Sequence, residues 1–98
     1  MVSMCVDGDL TIYEAAQRKL EFMEQLQATD VLEIDLANVG EMDTSGLQLL
    51  MLVKKEAQLL GKRVRFVGHS KAVVDVLELA DLIPAFGDPV LMLKGEVV

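Results

Sequence analysis

The stretch "VLEIDL", Val31 to Leu36, constrains the fold most tightly. Leu32, Ile34 and Leu36 alternate with Glu33 and Asp35, which is the two-residue period of a β-strand. A parallel strand held between two helix layers reads as a continuous apolar run, because both of its faces are dry. This one carries carboxylates on one side. The expectation is therefore a sheet with helices packed mainly on one face and a partly wet opposite face. "VRFVG" (64–68) repeats the mixed character through Arg65, softened by Val67.

The remaining elements fit around such a sheet. "VSMCV" (2–6) reads as a strand, "DGD" (7–9) as a tight turn and "LTI" (10–12) as its short antiparallel partner. From Tyr13 the period changes: Tyr13, Ala16, Leu20 and Met23 are spaced for one face of a helix running to about Gln27. Ser45 to about Leu60 predicts a second helix, stopped by Gly61. A third runs from Lys71 to about Leu82, with Val73, Val76, Leu77 and Ala80 inward and Pro84 ending it. "VLMLK" (90–94) reads as a last, edge strand. The order implies one α/β domain over residues 1–98. Its sheet is a single mixed layer with an N-terminal antiparallel hairpin and parallel middle strands, joined by right-handed crossovers.

Length and charge narrow the function classes. Ninety-eight residues supply one core, and the four aromatics leave it to be built of aliphatic side chains. A formal net charge of −7 sets nucleic acid aside, since phosphate binding needs a basic surface. The charge is unevenly placed: residues 1–43 carry ten acids and two basic residues, residues 44–98 six acids and seven basic ones. Lys54, Lys55, Lys62, Arg63, Arg65 and Lys71 lie close together. They read as a solvated helix end and turn, with a docking patch as the alternative. The single Cys5 forms no internal disulfide and fits a reducing compartment; between Met4 and Val6 it reads as a small buried strand residue. No basic-then-apolar leader opens the chain and no apolar run approaches membrane-spanning length, so a cytoplasmic protein without membrane insertion is expected.

Few residues suggest reaction chemistry. His69 has no nearby Cys or acid cluster, so it makes neither a metal site nor a catalytic pair, and Ser70 reads as the N-cap of the third helix. Glu33, Asp35, Glu41 and Asp43 could ligate magnesium, but no glycine-rich phosphate cradle accompanies them and the solvated reading is preferred. The expectation is no catalytic residue, no metal and no cofactor.

"EMDTSGLQLLM", Glu41 to Met51, is different. An acid, two hydroxyls and a glycine stand after a strand's carboxyl end and at a helix start, where backbone N–H groups point outward and the local field is positive. Asp43, Thr44 or Ser45 can simply cap those groups. A phosphate on a hydroxyl would also be tolerated there, so capping does not exclude regulation. At 100° per residue, Leu49, Leu50, Val53, Ala57 and Leu60 converge on one face. Leu47 and Met51 fall on the other, beside Gln48, Lys55 and Gln58. Apolar residues on an outward face suggest either a partner surface or cover by another element.

At this point the chain resembles the STAS family, named for sulphate transporters and anti-sigma-factor antagonists. "VDGDLTIYEA", "VLEIDLANVGEMDTSGLQLL" and "GKRVRFVGHSKAVVDVLELADL" carry the likeness over nearly the whole length. In the antagonist branch, the hydroxyl after the acid is a kinase target, which the resemblance places at Thr44, with Ser45 as the fallback acceptor. The resemblance implies a kinase-type anti-sigma partner bound by the unphosphorylated form, release on phosphorylation, and a phosphatase that resets the switch. ATP would belong to the kinase. The binding face would comprise Asp43, Thr44, Ser45, Leu47, Gln48 and Met51. Serine is common at the Thr44 position among antagonists. The chain also looks like the small STAS subunits of lipid-transport ABC complexes, in which the same helix surface docks an ATPase without phosphorylation.

Overall fold

A computed structural model describes residues 1–81. The elements are β1 (Val2–Cys5), β2 (Gly8–Leu10), α1 (Ala15–Ala28), β3 (Val31–Asp35), β4 (Val39–Met42), α2 (Thr44–Leu59), β5 (Arg63–Val67) and α3 (Lys71–Asp81). The strand expected at 90–94 lies outside the described residues.

Every strand pair among the described residues is parallel. β1, β3 and β5 form one ladder in that order, with Met4, Ile34 and Phe66 in register, and β2 pairs with β4. The N-terminal antiparallel hairpin and the single mixed sheet are therefore corrected: the described strands form two parallel ladders. The chain bends at Asp7 instead of reversing: Val6 N–H donates to Asp35 O at 3.0 Å and Gly8 N–H to Asn38 O at 3.4 Å, so the pairing runs on from β1 into β2. The acids that read as turn residues stitch the two segments together. Asp7 accepts from the Asn38 amide at 2.9 Å, and Asp9 accepts from Glu41 N–H at 3.0 Å. A hairpin would have paired one short strand with another. The parallel arrangement pairs β1 with β3 and β2 with β4, and Val6 and Leu10 are buried completely.

The alternation in β3 holds. Leu32, Ile34 and Leu36 are buried, while Glu33 and Asp35 are half-buried on the opposite side. β5 matches it, with Val64 and Phe66 buried and Arg63 and Arg65 exposed. Glu33 and Arg65 are register neighbours on the wet side and form an ion pair at 3.9 Å. α1 packs on β3 and on α2, and α2 on β5, so the apolar side of the ladder is the covered one. The core cluster draws on all three helices and on β2 to β5.

Helix phase is where sequence and structure part. In α1, Phe22 and Leu26 are buried, whereas Tyr13 and Leu20 are 90% and 62% exposed. Tyr13 lies in the turn before the helix, so a face counted from it is rotated away from the true one. That turn resembles a capping box set one turn ahead of the helix, whose own N-cap Glu14 makes no side-chain cap bond. Thr11 N–H donates to the Glu14 carboxylate at 3.3 Å, Thr11 Oγ1 also donates to it, and Tyr13 N–H donates to Thr11 Oγ1 at 3.3 Å.

In α2, Leu49, Leu50, Val53 and Ala57 are buried as expected, but Leu60 is 55% exposed. It stands at the C-cap of a Schellman motif. Gly61, with φ of 70°, donates to Gln58 O at 3.1 Å, and Lys62 N–H donates to Ala57 O at 2.8 Å. Ser70 caps α3 through Val73 N–H at 3.3 Å, in line with the sequence reading.

The α1 phase predicts opposite outcomes for neighbouring residues. Phe22→Ala should lower unfolding free energy by about 3–5 kcal/mol, and Leu20→Ala by about 0.5 kcal/mol or less. Urea denaturation of the two variants checks this; equal losses would show that the helix is turned.

Candidate functional site

The site begins with Asp43, the residue before α2. Its backbone is extended, so its side chain can turn back on the first helical turn. Oδ1 accepts from Ser45 N–H at 2.9 Å and from Gly46 N–H at 3.2 Å. Oδ2 accepts from Ile12 N–H at 3.1 Å, from a segment 31 residues earlier in the chain. One carboxylate thus closes the start of α2 and fastens the β2–α1 turn to it. Asp43 N–H donates to Leu10 O at 3.3 Å, completing the junction. Partial desolvation pushes the Asp43 carboxyl upward, but the N–H donors of Ile12, Gly46 and Ser45 outweigh it and hold the group below its ordinary value.

Gly46 explains the glycine of "DTSG". A Cβ there would stand 2.2 Å from Leu10 O and 2.9 Å from Leu10 Cβ. Only a residue without a side chain lets α2 approach β2 this closely. Leu47 then falls beneath the helix and is fully buried. This corrects its expected place on the outward face: with Leu50 and Val53 it belongs to the core side of α2.

The other expected residues separate by exposure. Thr44 and Gln48 are exposed, Ser45 and Met51 are half-buried, and Met51 packs partly against the core. At 100° per residue, Thr44, Gln48, Met51 and Lys55 share one outward stripe, with Ser45 at its flank. Two residues escaped the sequence reading. Ile12 and Tyr13, 66% and 90% exposed, stand in the turn that Asp43 ties to the helix start. Their signal was present as "TIYE". In a capping box the two residues between Thr and Glu begin the turn, and nothing requires them to face inward.

The remaining candidates are engaged elsewhere. Asp35 accepts from Ala37 N–H at 2.8 Å and Glu33 pairs with Arg65. Among the described residues no group of three or more His, Cys, Asp and Glu side chains could hold a metal ion. Cys5 is exposed, not buried as expected, because alternate residues of edge strand β1 face outward. Local desolvation, then the carboxylates of Asp7 and Asp35, push its thiol pKa up, which disfavours the reactive thiolate. No helix among the described residues is long and apolar enough to cross a membrane.

The family model described as "Mlab, STAS domain" matches residues 2–83. The chain belongs to the STAS domain family. Solved structures carry the same fold. The anti-sigma factor antagonist SpoIIAA in its unphosphorylated form aligns with a TM-score of 0.70 and 16% identity, covering 98% of this chain and 76% of that one. The STAS domain of the SulP transporter from Vibrio cholerae aligns with a TM-score of 0.61 and 19% identity, covering 98% and 70%. At these identities the likeness speaks for fold alone. STAS domains are typically regulatory, non-enzymatic modules.

The Asp43 network predicts a pH signature. Its depressed folded pKa means that the carboxylate stabilises the fold above the unfolded value, about 4, and that this contribution fades as pH falls through the folded value. Asp43→Asn should therefore melt below wild type at neutral pH, with the gap narrowing as pH falls below about 4. Thermal melts of both proteins across that range check it. A gap of constant size would mean that the charge is not what holds the junction.

Proposed function

We propose that this STAS domain is a non-enzymatic docking module whose outward α2 stripe receives one protein partner, and that phosphorylation of Thr44 releases that partner. The observation that carries the reading is an exposed, neutral hydroxyl at the first position of α2, framed by the exposed Ile12 and Tyr13 and held in place by Asp43. Gln48 and Met51 extend the face along the helix, with Asp43 and Ser45 at its margin. The partner is a kinase of the anti-sigma-factor type, which brings its own ATP; a phosphatase restores the hydroxyl, and the cycle runs in the cytoplasm.

Local electrostatics support the direction of the switch. The helix start would ordinarily welcome a phosphate, but the Ser45 and Gly46 N–H groups are already bonded to Asp43. A phosphate on Thr44 brings about two further negative charges beside that carboxylate. A partner packed on the neutral hydroxyl would then meet bulk and an uncompensated charge, at a cost of about a thousandfold in affinity.

A second reading rests on Thr44 itself. Serine is common at this position in the antagonist branch that the chain resembles, and threonine departs from it. The apolar side chains around the hydroxyl suit a permanent contact equally well. In that reading the domain is a fixed regulatory subunit docked on the ATPase of a phospholipid-transport ABC complex, and Thr44 packs without being modified.

The two readings separate in one experiment. Protein isolated from its own cells is analysed by mass spectrometry for phosphate, and the co-purifying partner is identified. Under the switch, phosphate is found on Thr44, Thr44→Glu weakens binding about a hundredfold or more, and Thr44→Ala or Thr44→Val binds constitutively. Ser45→Ala, tested in parallel, should change little. The switch fails if no phosphate appears under any growth condition and Thr44→Glu binds as wild type does; a recovered ATPase then selects the fixed subunit.

A further inference from the structure

The fold sorts the basic residues between Lys54 and Lys71. Lys71 is committed to an ion pair with Asp75 at 2.8 Å, and Lys55 is exposed on the outward stripe of α2. The other four, Lys54, Lys62, Arg63 and Arg65, surround one groove of about 250 Å³ between the C-terminal half of α2 and β5. Ala57 and Val64 supply apolar lining between them.

Two of these side chains are anchored, and the two arginines reach solvent. Lys62 Nζ donates to Leu26 O at 2.8 Å and Gln27 O at 3.4 Å, the carbonyls at the end of α1, so its ammonium is positioned without being neutralised by those groups. Lys54 lies over the Phe66 ring, 5.8 Å from its centre. Desolvation holds its pKa below the ordinary lysine value. Arg63 is exposed. Arg65 meets Glu33 only at 3.9 Å, and its side chain stays 61% exposed.

A cationic rim over an apolar lining, on a chain of net charge −7, selects a narrow class of ligand. The acidic remainder of the surface repels nucleic acid and anionic bilayers over their long charged faces. A short stretch of polypeptide can enter the groove without meeting that surface. We propose that the groove between α2 and β5 binds an acidic protein segment, with carboxylates toward Arg63 and Arg65 and an apolar side chain over Ala57 and Val64. The groove lies about 20 Å along α2 from Thr44. It is a second contact, independent of the hydroxyl.

The test titrates the full chain with a fluorescent peptide that alternates glutamate with leucine, and with its lysine–leucine counterpart. The acidic peptide should bind saturably and weaken several-fold as salt rises to about 0.3 M. Arg63→Glu with Arg65→Glu should weaken it about tenfold or more at unchanged melting temperature, and the double alanine variant should weaken it by less. Lys71→Glu and Thr44→Glu should leave it unaltered, so loss of this site and loss of the Thr44 reading are distinguishable. Several outcomes overturn the proposal: equal binding of the lysine peptide, indifference to the Arg63 and Arg65 variants, or full displacement by millimolar inorganic phosphate. Two more do the same: tight binding to phosphatidylglycerol vesicles, or self-association that the double glutamate variant abolishes.

Discussion

The close approach of α2 to the end of β2 is the constraint on which the rest depends. At Gly46 the helix nearly touches the Leu10 carbonyl, and no Cβ fits between them. That approach puts Asp43 within reach of Ile12 N–H, which joins two parts of the chain far apart in sequence through one carboxylate. It also drives Leu47 into the core and leaves Thr44 outside. A looser junction would free the turn carrying Ile12 and Tyr13 and blur the division of α2 into a buried and an outward side. The motif's acid and glycine are therefore structural, and their structural work is what presents the hydroxyl. The cap and the docking face proposed for it would be one arrangement viewed from inside and outside.

Strand character was legible because burial in this sheet is one-sided. The Leu32, Ile34, Leu36 alternation names its own dry face, and β5 repeats it. Partner choice was not legible. Local turn chemistry at Asp7 to Asp9 argued for a hairpin, while the competing parallel strand lay some thirty residues away (β1 with β3, β2 with β4). β4 was missed for a related reason. Only Val39 of its four residues is buried and Gly40 and Glu41 are exposed, so no period-two signal exists to read.

The placement of the candidate residues was half legible. Asp43, Thr44, Gln48 and Met51 follow from the motif and a 100° step, because both are local. Leu47 did not follow, since an apolar residue at the edge of a helical arc can face either way until neighbouring elements are placed. Ile12 and Tyr13 were hidden because their role depends on a hydrogen bond to Asp43, a contact no spacing rule reports. The basic run was visible as composition, but only the fold shows that Lys54, Lys62, Arg63 and Arg65 meet while Lys71 turns aside to Asp75.

The two ends of α2 consequently work in opposite electrostatic settings. Its start is acidic and carries the exposed hydroxyl; its later turns border the cationic groove. At about 20 Å along the helix the two ends of α2 are about two and a half Debye lengths apart at physiological ionic strength, so charge added at Thr44 is largely screened from the later turns. A phosphate at Thr44 would therefore find no compensating cation in this groove and would act on whatever covers the stripe. That separation would let a modification at Thr44 leave the proposed groove contact intact. A partner that spans both could then be loosened at Thr44 without being lost at the groove, because the contact that remains keeps the released face at a high local concentration.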